Sequence, residues 1–161
     1  MKTTHYDTCI FGGGCFWGVQ ALFDKTAGVA ETTVGYCGGH TSNPTYQEVC
    51  TGTTNHAEVV QIVFDPDQVS YSDLLALFFN NHNPTTKNQQ GVDIGTQYRS
   101  VIFYLDDQQK KAANNYITEL TQLKRFKNPI VTDVVPAQPF YPAEEYHQKY
   151  FQKHGQTHCN F

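Results

Sequence analysis

The stretch GGGCFWG, from Gly12 to Gly18, places one cysteine between three consecutive glycines and two large aromatic residues. Glycine loses more backbone entropy on folding than any other residue, so three in a row indicate that the backbone must be bare here. The residues before it, TCIF, are typical of a short strand, and the segment CFWGVQALFDKTAG shows helical spacing that closes at Gly28. The stretch therefore predicts a strand, a glycine turn and a helix that begins near Cys15.

Further strands and helices follow this unit. Apolar and β-branched runs predict strands at VAETTVGY, EVVQIVFDP, SVIFYL and IVTDVV. Helices are predicted at YSDLLALFFNNHNP, whose start at Ser70 is supported by Asp73, at DDQQKKAANNYITELTQLK, and in a short segment opened by Pro142. This order predicts an α+β fold, a two-layer sandwich in which helices pack on a mixed β-sheet with a ferredoxin-like split βαβ core.

Length and charge exclude several classes of protein. A chain of 161 residues fits one domain, 1–161, and buries roughly 70% of its unfolded surface without a metal or a disulfide framework. The formal charge of −4 and the lack of a Lys/Arg cluster argue against a nucleic-acid partner. The sequence shows neither a signal-peptide core nor an apolar run long enough to span a membrane, which predicts a cytoplasmic protein with reduced cysteines and no membrane partner.

Cys15 is the candidate nucleophile. At the start of a helix, unpaired backbone N–H groups favour a thiolate and lower the thiol pKa from about 8.5. The alternative is a small buried apolar residue, which the glycine run disfavours. The glycines fit neither the G-x-G-x-x-G pattern nor a G-K-[ST] loop, so a phosphate-binding turn is not indicated.

Four separated blocks of the sequence resemble one known family. GCFWG resembles the signature of the A-type peptide methionine sulfoxide reductases. YQEVCTGTTNHAEVVQI, DIGTQYRS and FYPAEEYHQKY resemble further blocks of that family in the same order, from about Phe11 to Tyr150. The resemblance implies a thiol-dependent oxidoreductase that reduces methionine S-sulfoxide, free or in oxidised proteins, to methionine.

The resemblance also implies roles for individual residues. Cys15 matches the nucleophile that attacks the sulfoxide sulfur and becomes a sulfenic acid. Glu58 matches the acid that supplies a proton, which requires burial to raise its pKa from about 4.3. Tyr46 and Tyr98 match two tyrosines that donate hydrogen bonds to the sulfoxide oxygen, as in an oxyanion hole.

Three more residues match the family's substrate-binding positions. Asp93 matches an aspartate that helps hold the backbone amide of the substrate. Phe16 and Trp17 match the apolar wall that receives the sulfoxide methyl group. Consecutive helix positions lie about 100° apart, so both rings are core residues only if the apolar face is wide.

Recycling is assigned to Cys159, on a flexible tail expected at about 152–161. Its thiol would convert the Cys15 sulfenic acid to a disulfide, which an external dithiol reduces. That reductant is expected to be thioredoxin, or dithiothreitol in vitro, and the protein is expected to be a monomer with no bound cofactor and no metal. Cys37 stands where alanine is frequent in the family, so its part in recycling is open.

One departure from the family pattern lies beside the proposed acid. Asn55 stands where the family usually has glycine, in TNHAE. Asparagine tolerates a left-handed backbone better than most residues, so the turn before Glu58 is expected to survive.

Two other functions fit parts of the sequence. The first is a structural zinc site formed by Cys37, His40, Cys50 and His56. Their spacing, C-x2-H followed by C-x5-H, suits zinc, although in the family resemblance Cys50 is a buried structural residue. The second is Cys/His acyl transfer with His82, His147 or another of the seven histidines as the base. It leaves Glu58, Tyr46 and the tail cysteine without a role.

Overall fold

The computed structural model describes residues 5–154. Its strands are β1 (Asp7–Gly12), β2 (Val29–Cys37), β3 (Ala57–Phe64), β4 (Gln89–Gln90), β5 (Asp93–Ile94), β6 (Val101–Tyr104), β7 (Asp133–Pro136) and β8 (Tyr141–Pro142). Its α-helices are α1 (Phe16–Asp24), α2 (Tyr46–Cys50), α3 (Tyr71–Asn80), α4 (Asp107–Gln122) and α5 (Tyr150–Lys153). Short 3-10 helices cover Thr96–Tyr98 and Glu145–His147.

Six strands form the main sheet in the order β7-β6-β1-β3-β2-β8. The central four, β6-β1-β3-β2, pair antiparallel and belong to two units, β1-α1-β2 and β3-α3-β6. β7 adds a parallel pair with β6, which makes the sheet mixed. The predicted α+β fold with a ferredoxin-like split βαβ core is therefore confirmed.

Alternate residues of each strand face opposite sides of this sheet. On β1, Cys9 and Phe11 belong to the main core, which also contains apolar side chains of α1, α3 and α4. Ile10 belongs to a smaller cluster on the other face, which is covered by Ala137 and Phe140. The helices thus form one layer over the sheet, and β3 sends Val60 and Ile62 into the same layer.

The predicted start of α3 is confirmed in detail. Ser70 accepts a hydrogen bond from the Asp73 backbone N–H, and the Asp73 side chain accepts one from the Ser70 backbone N–H. This reciprocal pair satisfies two amides that a helix start leaves without intrahelical partners. The first helix differs from the prediction because α1 ends at Asp24, and a turn that closes with a left-handed Gly28 follows it.

The prediction that Pro142 opens a helix is wrong. Tyr141 and Pro142 form the edge strand β8 on β2, and the Ala143 backbone N–H donates to the Val34 carbonyl at 2.9 Å. Pairing with the exposed edge of β2 satisfies these backbone groups in place of a helix. The 3-10 helix Glu145–His147 follows, and Lys149, with φ of 57°, separates it from α5.

Within residues 5–154, no helix combines the length and the apolar character needed to cross a membrane.

Candidate active site

The glycine turn between β1 and α1 brings Cys15 to the start of a helix. Cys15 is the N-cap residue of α1 and is half-buried. Gly14 has φ of +92°, and a Cβ there would lie 2.7 Å from Gln90 Cγ. At Gly12 a Cβ would lie 2.8 Å from the backbone oxygen of Glu58. The glycines are therefore required by backbone conformation and by close packing around the Cys15 loop.

Glu58 lies under this loop on β3. Its side chain is 1% exposed, and Oε1 accepts a hydrogen bond from the Phe16 backbone N–H at 3.2 Å. Burial raises the pKa of Glu58 well above its ordinary value, and a negative charge on Cys15 raises it further, against the opposing effect of the Phe16 N–H. Oε2 has no hydrogen-bond partner within residues 5–154. Burial therefore favours the protonated form of this carboxyl, and Oε2 is its oxygen without a hydrogen-bond partner in the described residues.

Tyr46 and Tyr98 approach the same site from two different short helices. Tyr46 is the first residue of α2, and the Gly14 backbone N–H donates to the Tyr98 carbonyl at 3.2 Å. Burial, followed by the charge of Glu58, raises the pKa of both phenols above the ordinary value. Both hydroxyls therefore keep their protons and remain hydrogen-bond donors at neutral pH.

Asp93 lies on β5, within the loop that precedes Tyr98. It is half-buried, and burial raises the pKa of its carboxyl. Its charge contributes to the raised pKa of Glu58, so the two carboxyls are close enough to interact. Asp93 is thus placed at the rim of the group formed by Cys15, Glu58 and Tyr98.

Phe16 and Trp17 have different surroundings, although they are neighbours in the chain. Phe16 is 0% exposed and belongs to the main core, with its ring centroid 6.4 Å from that of Tyr46. Trp17 is half-buried and stacks on Tyr150 with centroids 3.7 Å apart. The apolar face of α1 is therefore wide enough to accept both rings, with Trp17 at its outer edge.

Cys159, the expected recycling cysteine, lies outside residues 5–154, as does most of the expected tail at 152–161.

Two residues of the FYPAEEYHQKY block contact the site: Glu144, for which the sequence predicts no role, and His147, which it offers only as a base for acyl transfer. Glu144 accepts hydrogen bonds from the Tyr36 hydroxyl at 2.9 Å and from the Tyr46 backbone N–H at 3.0 Å. The His147 ring packs 4.4 Å from that of Tyr46 and accepts a hydrogen bond from the Trp17 indole. The block motif was the only sequence signal for them, because both contacts join residues about a hundred positions apart.

Asn55 supports the turn before Glu58 as expected. Its φ is 62°, a left-handed conformation that asparagine tolerates. Asn55 therefore adopts here the left-handed conformation that a glycine would also adopt.

The structure does not bring the four alternative zinc ligands together. No cluster of three or more His, Cys, Asp or Glu suited to a metal occurs in the described part of the chain. His56 accepts from the Gly39 backbone N–H through Nδ1 and meets the Thr41 carbonyl through Nε2, while the Cys37 thiol donates to the Gln138 carbonyl.

The expectation that Cys50 is a buried structural residue is wrong. Cys50 is exposed at the end of α2, where Val49 is the buried residue of the helix. Its thiol forms a hydrogen bond with the Tyr46 side chain one helical turn earlier. Consecutive side chains on a helix point about 100° apart, so the face of α2 that buries Val49 leaves Cys50 towards solvent.

His82 is not available as the base that acyl transfer would need. Its two ring nitrogens meet the Phe78 carbonyl and the Ser100 hydroxyl, and burial lowers the pKa of His82 to about 4. His147 already uses Nδ1 as the acceptor for the Trp17 indole. Both histidines are thus occupied with holding the surrounding structure.

Known proteins resemble this chain over nearly its whole length. Residues 7–161 match the family model described as peptide methionine sulfoxide reductase. The chain is 54% identical over 159 residues to peptide methionine sulfoxide reductase MsrA of Methanothermobacter thermautotrophicus, covering 99% of this chain and 94% of that protein. It is 56% identical over 153 residues to MsrA of Acinetobacter baumannii, covering 94% and 87%.

Solved structures show the same fold. Methionine sulfoxide reductase A of Corynebacterium diphtheriae superposes with a TM-score of 0.84 at 39% identity, covering 96% of this chain and 77% of that one. Reduced Mxr1 of Saccharomyces cerevisiae gives a TM-score of 0.89 at 35% identity, covering 96% and 88%. Mxr1 in complex with Trx2 gives 0.65 at 26% identity, covering 90% and 84%. The chain therefore belongs to the peptide methionine sulfoxide reductase family and is an oxidoreductase that acts on methionine sulfoxide.

Proposed function

We propose that this enzyme reduces the S epimer of methionine sulfoxide, free or in oxidised proteins, with Cys15 as nucleophile and Glu58 as acid. The observation that carries this proposal is the buried carboxyl of Glu58 beside Cys15. Oε1 accepts the Phe16 N–H and burial raises the pKa, so the acid keeps a proton on Oε2 for transfer. A surface glutamate would be ionised at neutral pH and would have no proton to give.

The chemistry assigns each residue one task. The Cys15 sulfur attacks the sulfoxide sulfur, while Glu58 and the Tyr46 and Tyr98 hydroxyls supply a proton and hydrogen bonds to the oxygen. The oxygen ends on Cys15 as a sulfenic acid, so the substrate sulfur is reduced by two electrons and the Cys15 sulfur is oxidised by two. The S–O bond of a sulfoxide is strongly polar, so its oxygen is a good acceptor for hydroxyl donors that carry no charge.

Three other residues hold the substrate. Phe16 and Trp17 receive the methyl group, and Asp93 contacts the backbone amide of the oxidised methionine. The half-buried position of Trp17 and Asp93 is consistent with a site that accepts a residue within a protein as well as the free amino acid.

The oxidised Cys15 must be reduced again before the next turnover. The Cys159 thiol attacks the Cys15 sulfenic acid, which gives a Cys15–Cys159 disulfide and releases water. A thioredoxin then reduces this disulfide, in line with the solved complex of yeast Mxr1 with Trx2. The enzyme needs no bound organic cofactor and no metal in this scheme, and dithiothreitol replaces the thioredoxin in vitro. Monomeric state and cytoplasmic location stay predictions from the sequence.

Racemic methionine sulfoxide tests the proposal. Purified enzyme is incubated with both epimers and dithiothreitol, the remaining epimers are separated by chromatography, and Cys15→Ser is run beside it. Loss of the S epimer alone, absent from the variant, is the expected result. Consumption of both epimers would contradict the proposed specificity for the S epimer. Equal consumption by Cys15→Ser would contradict the assignment of Cys15 as the nucleophile.

A further inference from the structure

The imidazole of His147 lies at the centre of the aromatic group behind the active site. His147 is 1% exposed. Its ring centroid lies 5.3 Å from that of Phe16, 5.6 Å from Trp17, 4.4 Å from Tyr46 and 4.1 Å from Tyr146. His147 therefore contacts both proposed methyl-binding aromatics and one of the two proposed oxygen-binding tyrosines.

One hydrogen bond fixes the tautomer of this ring. The Trp17 indole Nε1–H donates to His147 Nδ1 at 3.0 Å. An indole nitrogen only donates, so Nδ1 carries no proton and the neutral ring holds its proton on Nε2. The indole also stacks on Tyr150 with an interplanar angle of 6°, so its plane and its N–H are both held.

A purely structural role explains this ring poorly. Nε2 is buried without a hydrogen-bond partner in the part of the chain that the structure describes, and a buried donor without a partner costs free energy. A phenylalanine or leucine would fill the same space without that cost. What these residues lack is the acceptor that Nδ1 presents to Trp17.

We propose that neutral His147 is a positioning residue for sulfoxide reduction: its Nδ1 holds the Trp17 indole, and its ring supports Tyr46, in the orientation that substrate binding requires. This role rests on the proposed function, because it gives His147 its effect through the methyl-binding wall and the oxygen donor.

Protonation of His147 would break this arrangement. An imidazolium carries N–H on both nitrogens, so Nδ1 would meet the indole N–H as a second donor. Burial lowers the pKa of His147, and the charge of Glu144 opposes this. The other titratable groups around the ring are Tyr146 from its own segment and Tyr46 from α2, and α1 contributes Phe16 and Trp17, which do not titrate. The ring is therefore neutral at neutral pH and becomes charged only in acid.

Trp17 is the single tryptophan of the chain, so intrinsic tryptophan fluorescence reports on the surroundings of this one ring. In the wild type we expect one transition with a midpoint below 6.5, the ordinary pKa of histidine, because an imidazolium next to an indole quenches its emission. His147→Asn keeps an acceptor oxygen near the position of Nδ1 but cannot titrate, so its emission should not follow pH. His154→Gln is the matched control, since His154 packs on Tyr150 behind the indole, and this variant should keep the transition.

The KM for methionine sulfoxide at pH 8 distinguishes a positioning role of His147 from a packing role. His147→Leu fills the space without an acceptor, and we expect its KM for methionine sulfoxide to rise about fivefold, the equivalent of one net hydrogen bond. His147→Asn should stay close to the wild-type KM. Rescue by asparagine and not by leucine is a result that a packing role would not give.

Two outcomes would overturn the role of His147. The first is a fluorescence titration in which the wild type shows no transition in acid, or in which His147→Asn shows the same transition as the wild type. The other is an equal KM for His147→Leu and the wild type. Failure of the wild type to reduce any sulfoxide would overturn the proposed function, and this role with it. That case is recognisable because the fluorescence titration needs no substrate.

Discussion

The backbone N–H of Phe16 donates a hydrogen bond to Oε1 of Glu58 over 3.2 Å, across 42 positions of the chain. This bond ties the first residue of α1 to the central strand β3, and it orients the carboxyl beside the Cys15 thiol. The two carboxyl oxygens differ as a result: Oε1 accepts this bond, whereas Oε2 has no hydrogen-bond partner within residues 5–154.

Glu58→Gln tests the acid directly. Glutamine can still accept the Phe16 N–H but cannot give up a proton as an acid does, so the rate of Cys15 oxidation should fall about a hundredfold or more. Substrate affinity should change little because the bond that orients the side chain is kept. Rapid-quench measurement of thiol loss in a single turnover gives this rate. An unchanged rate would remove Glu58 from the mechanism.

Glu58→Gln should also change how the free energy of unfolding depends on pH. The pKa of Glu58 is raised in the folded state, so the folded state binds this proton more tightly than the unfolded one. The free energy of unfolding of the wild type therefore falls as pH rises from the unfolded pKa towards the raised folded value. Glu58→Gln does not titrate, so its stability relative to the wild type should rise across that range in urea unfolding. Glu31→Gln, at an exposed position of β2, should leave the wild-type profile unchanged.

The two tyrosines are expected to share one role. Tyr46→Phe and Tyr98→Phe should each slow Cys15 oxidation by less than about tenfold, because the remaining hydroxyl still binds the sulfoxide oxygen. The double variant loses both donors and should be slowed about a hundredfold or more. Tyr6→Phe, at an exposed tyrosine, is the control. A double variant as fast as the wild type would contradict the assignment.

Removal of single thiols identifies the recycling cysteine. In one turnover without reductant, Cys159→Ser should stop at the Cys15 sulfenic acid, which dimedone traps for mass spectrometry. Cys50→Ser is the matched control, since Cys50 is an exposed thiol hydrogen-bonded to Tyr46, and this variant should still form the disulfide. A Cys15–Cys50 disulfide in Cys159→Ser would instead identify Cys50 as a thiol that can resolve the intermediate.

The glycine turn can be tested with a matched pair of substitutions. Gly14 and Gly52 both have a left-handed backbone, with φ of +92° and +77°. A Cβ at Gly14 would lie 2.7 Å from Gln90 Cγ, whereas a Cβ at Gly52 would have no other described atom within 4 Å. Gly52→Ala should therefore cost only the left-handed backbone strain, about 1–2 kcal/mol of unfolding free energy. Gly14→Ala should cost more and also lower activity, because Gln90 or the Cys15 loop must move. Equal losses for the two variants would show that the close packing at Gly14 is unimportant.

Short-range features of this protein could be predicted from its sequence. The turn at Gly14, the position of Cys15 at the start of α1 and the capping pair of Ser70 and Asp73 depend on residues within a few positions of each other. Such features follow from local backbone preferences, and the structure has them where the sequence predicts them.

The edge of β2 shows where local patterns fail. Pro142 suits the first turn of a helix, but the free edge of β2 lies beside it in the folded chain, and pairing there fixes an extended strand. No local signal reports that edge, since β2 and β8 are separated by more than a hundred residues.

The sequence alone predicts the turn that presents Cys15, the order of the core strands and helices and, through its motifs, the family. The burial of Glu58 beside Cys15 and the hydrogen bonds of Glu144 with Tyr46 and of His147 with Trp17 depend on the folded chain. A cap or a turn forms between neighbours in the chain, whereas these contacts exist only after strand order and register bring distant segments together.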